Sequence, residues 1–145
     1  MAAPGALLAV STPASAADSS VICESSGNHY CIGAPNLVLY DPVVETVSGR
    51  YINDQAEDGG VRLQLNAATS LCVAAANDGV DVVLHPCSGG EGIIWFQEES
   101  PNGNRFESRE FSGKFLSGAS SENSQYQLKD LGANGWEQQF TISGV

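Results

Sequence analysis

The side chains with the means to do chemistry are few in kind. Two histidines, His29 and His85, stand among 17 carboxylates and many serines, so a Ser-His-Asp set can be drawn on paper. Nothing in the spacing supports one: no G-x-S-x-G turn is present, His29 lies close to Cys31, and His85 precedes Pro86 at a strand end, where a solvated histidine is the ordinary outcome. The sequence therefore predicts no catalysis and no cofactor. The carboxylate-rich stretches 53–60 (NDQAEDGG) and 77–81 (NDGVD) lack EF-hand spacing and read first as turns, so no metal is expected. Glu98-Glu99 and Glu107 to Glu110 read as exposed faces rather than an acid/base pair. What remains are aromatics suited to contact a partner, Tyr40 and Trp136 above all, with His85 beside them as a weaker candidate.

The elements that must hold these residues are short strands. Sixteen glycines and an abundance of Val, Thr, Ser and Asn favour strands and tight turns over helices. A chain of 145 residues suits one domain with a real core. A net charge of −11 disfavours nucleic acid and anionic membranes as partners, because phosphates in a row need cations to neutralise them. Residues 1–16 run apolar from Ala2 to Val10 and end in Ala14-Ser15-Ala16, the pattern of a secretory signal; the first cation is Arg50, so its basic start is read as truncated. The apolar part is too short to span a bilayer. Export suits the four cysteines, which fall into two local pairs, Cys23 with Cys31 and Cys72 with Cys87. Closing the longer loop contributes about 3 kcal/mol in the chain-entropy picture.

From 17 to 145 the chain repeats itself, in segments of roughly 40 residues at 21–54, 61–99 and 104–143. Ile22, Leu63 and Phe106 each stand nine positions before Cys31, Cys72 and Phe115. Each copy continues with a polar loop, an apolar strand (LVLYD from Leu37, VVLHP from Val82, YQLKD from Tyr126) and a closing strand (RYIND, IWFQE, QFTIS). Three such units predict an all-β β-trefoil, six strands closing a barrel and six forming hairpins that cap it; a β-sandwich is the alternative.

The middle copy resembles the repeat of the ricin B-type lectins and carbohydrate-binding modules: Cys72, the strand Val82 to Leu84, Cys87, Gly89 and Trp95 follow that family's order, and Gln138 to Phe140 stand where its Gln-Gln-Trp would be. The first copy is short and carries Gly49 to Ile52 there instead. The resemblance implies that Trp95 and Phe140 anchor the core and that sugar would be held by an acid, an aromatic and an amide per copy. The acid positions are Gly33, Ala74 and Ser117, the stacking positions Tyr40, His85 and Lys129, and the amide positions fall near Ser48, Gly92 and Glu137, so no copy has a full set. The expectation is a secreted, non-catalytic module turned to a protein partner, an adaptor or accessory subunit of a larger exported assembly such as a toxin particle, with Tyr40, His85 and Trp136 as contacts. A lectin with a relocated site is the first alternative. A protease inhibitor offering Arg50 or Arg105 from the loops 48–50 or 103–105 is the second.

Overall fold

The computed structural model describes residues 19–25, 29–132 and 138–144, so the segment 1–16 and Trp136 lie outside the described residues. Twelve strands form there, four from each copy: β1 Ser19–Glu24, β2 Cys31–Gly33, β3 Val44–Thr46, β4 Ile52–Glu57, β5 Gly60–Leu65, β6 Ala68–Ala75, β7 Val82–Pro86, β8 Ile94–Ser100, β9 Gly103–Ser108, β10 Lys114–Ser117, β11 Gln127–Asp130 and β12 Phe140–Gly144. β1 pairs β4, β4 pairs β5, β5 pairs β8, β8 pairs β9, β9 pairs β12, and β12 returns to β1. This ring leaves no open barrel edge, whereas a sandwich would need two separate sheets, so the alternative fold is excluded. The hairpins β2–β3, β6–β7 and β10–β11 cap one end.

Side chains fill the interior in threes, as alternating strands around a pseudo-threefold axis require. Ile22, Leu63 and Phe106 form one set and Ile52, Trp95 and Phe140 another, all six with no exposure; Ile32, Val73 and Leu116 lie against the cap. Each such side chain contributes about 1.5–3 kcal/mol by leaving water. Trp95 also donates its indole N–H to Val73 O at 2.9 Å, so the ring carries no unmet donor into the core. On the axis the three hairpins are stitched by a cycle of backbone bonds: Val43 N–H to Val82 O (3.0 Å), Val82 N–H to Tyr126 O (3.2 Å) and Tyr126 N–H to Val43 O (2.8 Å).

That cycle corrects the predicted register of the first copy. Val43, Val82 and Tyr126 are equivalent, so the first hairpin strand is Val44–Thr46, pairing Cys31–Gly33, and the segment from Leu37 to Asp41 is not a strand. Four apolar residues in succession lack the period-two alternation of a half-buried strand, and Pro42 has no N–H to give a ladder. Leu37 (φ 47°) and Tyr40 (φ 66°) instead adopt left-handed backbone, and Asp41 N–H closes a turn on Val38 O at 3.1 Å. Both predicted disulfides form, Cys23–Cys31 and Cys72–Cys87.

Candidate functional site

In each copy the residue opposite the first cysteine position on the hairpin is fixed by register: Cys31 faces Thr46, Cys72 faces His85 and Phe115 faces Lys129. Beside each lies a shallow cavity, of about 260 Å³ at Gly33 and Thr46, about 320 Å³ at His85, and about 360 Å³ at Ser117 and Lys129. None carries an acid at the position where the lectin pattern has one, although Asp130 lines the third cavity. A Cβ at Gly33 would overlap the Thr46 side chain, whose Oγ1 accepts from Gly49 N–H at 3.0 Å. Ala74 is fully buried. Ser117, also buried, donates to Phe115 O at 2.8 Å and accepts from Gln138 Nε2 at 2.9 Å.

Tyr40 does not sit in the cavity of its own copy. Its backbone N–H bonds Leu84 O at 2.7 Å, and its ring meets His85 edge-on, centroids 5.6 Å apart and planes at 78°. Two residues that sequence reasoning put at equivalent places in separate repeats thus share one groove, with Ala75, Ala76, Asn77 and Val83 as its walls. Tyr40 is 62% exposed, and Val38 (52%) and Leu39 (45%) stand next to it in water. Leu37 turns the other way and packs on the core. The loop 34–43 is therefore a ridge anchored by one leucine and displaying three apolar side chains, on backbone that costs about 1–3 kcal/mol at each left-handed bulky residue.

The base of the ridge is held by Arg50, whose Nε donates to Ala34 O (3.0 Å) and Nη2 to Pro35 O (3.3 Å). Arg50 precedes buried Ile52 as Gln138 precedes buried Phe140, and Gln138 does the same work in the third copy, bonding Asp130 O and Gly132 N–H at 2.8 and 2.9 Å. Arg50 is thus a loop clamp, and Arg105 lies within β9 opposite Glu98; neither tips a projecting loop. His29 is exposed, next to the disulfide. Asp78 Oδ1 accepts from Val80 and Asp81 N–H at 2.8 and 3.0 Å, and these bonds hold its carboxyl below the usual carboxylate range. Among the described residues no three His, Cys, Asp or Glu gather as a metal site would need.

Sequence reasoning missed a buried polar seam between the first and third copies. Glu45, fully buried, occupies the position of Leu84 and Leu128 and binds Ala119 N–H (2.7 Å) and Ser120 N–H (3.0 Å) through its two oxygens. Tyr126 donates its hydroxyl to the equally buried Glu24 at 2.9 Å. A Cβ at Gly118 would overlap Glu24 Oε2 and stand 2.8 Å from Glu45 Oε1, so only glycine lets that loop close over both acids. Burial, then the neighbouring Glu24 and Glu45, push the Tyr126 hydroxyl far above its usual range, so it remains a donor. The one signal in the sequence is an acid where the other copies have leucine.

Solved structures share this geometry. The designed threefold-symmetric protein ThreeFoil superposes with a TM-score of 0.77 at 15% identity, over 88% of this chain and 99% of that one. The fold is a β-trefoil. A mosquitocidal holotoxin matches at 0.78 and 13% identity over 88% of this trefoil, which spans 17% of the toxin chain. A proteinase inhibitor from Coprinopsis cinerea matches at 0.71 and 14% identity, over 88% of this chain and 97% of the inhibitor. No protein-family model and no curated protein sequence matches the chain. At these identities the likeness concerns the trefoil scaffold alone.

Proposed function

We propose that this trefoil is a non-catalytic binding module that recognises a protein partner, as an adaptor or accessory subunit of an exported assembly. The observation that carries the reading is the ridge: Val38, Leu39 and Tyr40 exposed in succession, on strained backbone pinned by Leu37 and Arg50. Exposed apolar side chains on a rigid loop are what protein interfaces use as anchors, because little ordering entropy is left to lose on binding. Two disulfides suit a chain that works outside the reducing cytosol. A trefoil occupying a small part of a mosquitocidal holotoxin is compatible with a toxin particle as the setting.

A saccharide is the second reading, favoured by one observation, the groove in which the open Tyr40 ring meets His85 with Asn77 in its lining. The inhibitor reading loses the two basic residues it relied on, since Arg50 clamps its own loop and Arg105 lies in the barrel wall. The test is purification of the chain from culture supernatant under native conditions, with mass spectrometry of what co-elutes on size exclusion. A stoichiometric companion that is lost from Leu39→Ala and Tyr40→Ala is expected; a monomer with no companion overturns the adaptor reading.

A further inference from the structure

The chain segments that form the ridge and the groove beside it carry acids for which the described residues supply no cation. Asp41 follows Tyr40 directly, and the turn 76–81, whose Ala76 and Asn77 wall the groove, carries Asp78 and Asp81. Among the described residues no ion pair involves any of these three acids, although Asp81 Oδ1 accepts from Gln127 Nε2 of the third copy at 3.4 Å. The six cations of the chain are placed elsewhere or turned away. Arg62 pairs Glu57 and Arg109 pairs Asp58 at the β4–β5 turn, Lys114 pairs Asp130, and Arg105 lies beside Glu98 in the barrel wall. Lys129 stands across from Phe115 in the third copy, and Arg50, the cation nearest the ridge in sequence, directs its guanidinium onto the carbonyls of Ala34 and Pro35. Asp78 owes its turn-capping bonds to backbone N–H groups, which keep the carboxylate charged without neutralising it.

Resting on the adaptor reading, we infer that the segment docked on the ridge is cationic: a partner strand or loop whose lysine or arginine side chains flank an apolar residue, the apolar side chain against Leu39 and Tyr40 and the cations towards Asp41 and Asp78. Charge complementarity of this kind selects partners and steers their approach, while the apolar contact supplies affinity. The open face of Tyr40 adds a place for a cation to stack.

Two synthetic probes separate the elements of this inference, acetyl-Lys-Leu-Lys-amide and acetyl-Glu-Leu-Glu-amide, each titrated into the folded ¹⁵N-labelled protein. The lysine peptide is expected to shift the amides of Leu39, Tyr40, Asn77 and His85, and the glutamate peptide is not. Binding should weaken by about fivefold when salt rises from about 0.05 M to about 0.5 M. It should weaken by about as much in Asp41→Asn with Asp78→Asn, where the amide replacing the second carboxylate keeps an oxygen to cap the turn. No shift with the lysine peptide, equal binding of the two peptides, or no effect of the double variant overturns the cationic partner and leaves the ridge as an interface. If neither peptide shifts the ridge while a panel of methyl glycosides shifts Tyr40 and His85, the groove is a sugar site and the inference fails. Failure of the ridge reading itself has a different signature, a supernatant companion that survives Leu39→Ala and Tyr40→Ala.

Discussion

The first repeat meets its two neighbours in opposite ways. Against the third it buries two carboxyls, a tyrosine hydroxyl and a loop that closes over them, with both oxygens of Glu45 held by backbone N–H groups. Against the second it sets the exposed Tyr40 ring edge-on to the half-buried His85, with exposed apolar side chains beside them. A scaffold with threefold packing thus concentrates its polar specificity on one seam and its exposed surface on another. Buried hydrogen-bonded polar groups hold position because displacing them leaves unsatisfied partners, whereas an exposed ridge costs the fold little to change.

The sharpest way to break this contrast is at Glu45. Glu45→Ala takes the acceptor from the Ala119 and Ser120 N–H groups and opens a cavity at a fully buried site, and should cost about 2–4 kcal/mol in urea unfolding; Glu45→Leu, the residue of the other two copies, should recover the packing but not the hydrogen bonds. A loss below about 1 kcal/mol for Glu45→Ala would mean the seam is not what fixes the first repeat. Replacing both Cys72 and Cys87 by alanine should cost about 3 kcal/mol by the same measurement, because the loop they close is released in the unfolded chain.

Tyr126→Phe should cost about 1–3 kcal/mol at neutral pH, as Glu24 loses a donor. It has a second readout. The folded chain holds the Tyr126 proton well above the ordinary value of 10.0, so this contribution is fully present below that pH and is lost as the unfolded chain ionises above it. Wild-type stability should therefore fall from about pH 10 upward, and the fall should flatten in Tyr126→Phe; identical alkaline limbs would remove the tyrosine from the explanation. Smallest of all is the effect of Tyr40→Ala on stability, expected within about 0.5 kcal/mol of wild type while the partner is lost. A large loss of stability there would make Tyr40 part of the scaffold and not of the ridge.

Much of the scaffold was legible before any coordinates. The nine-residue interval from Ile22, Leu63 and Phe106 to Cys31, Cys72 and Phe115 marks barrel-to-hairpin passage in every copy, and Trp95 and Phe140 are heavy apolar residues at one repeat position, so their burial follows from the threefold pattern. The register of the first hairpin was not legible, because LVLY offers more apolarity than VET, and hydrophobicity alone does not reveal that Leu37 and Tyr40 turn left-handed or that Glu45 finds two N–H partners about 75 residues away in the chain. Nor was the meeting of Tyr40 with His85, since it depends on which hairpin lies beside which. That the lectin pattern's acid position holds glycine in the first copy is plain in the sequence, but the reason is spatial: Thr46 fills the room a side chain at Gly33 would need.

The cycle of three backbone bonds on the axis has a consequence for how the molecule comes apart. Each repeat both gives and receives one bond, so the circuit has no end from which it can be peeled. Detaching any one hairpin breaks two of the three links at once and uncovers Val43, Val82 or Tyr126 together with its neighbours. Fraying is thereby confined to the outer turns, and the cap and barrel should melt in a single step, with calorimetric and van't Hoff enthalpies in agreement. The ridge then rides on a unit that is either whole or absent, and a partner gripping Tyr40 and His85 together clamps two of the three repeats in that all-or-none state.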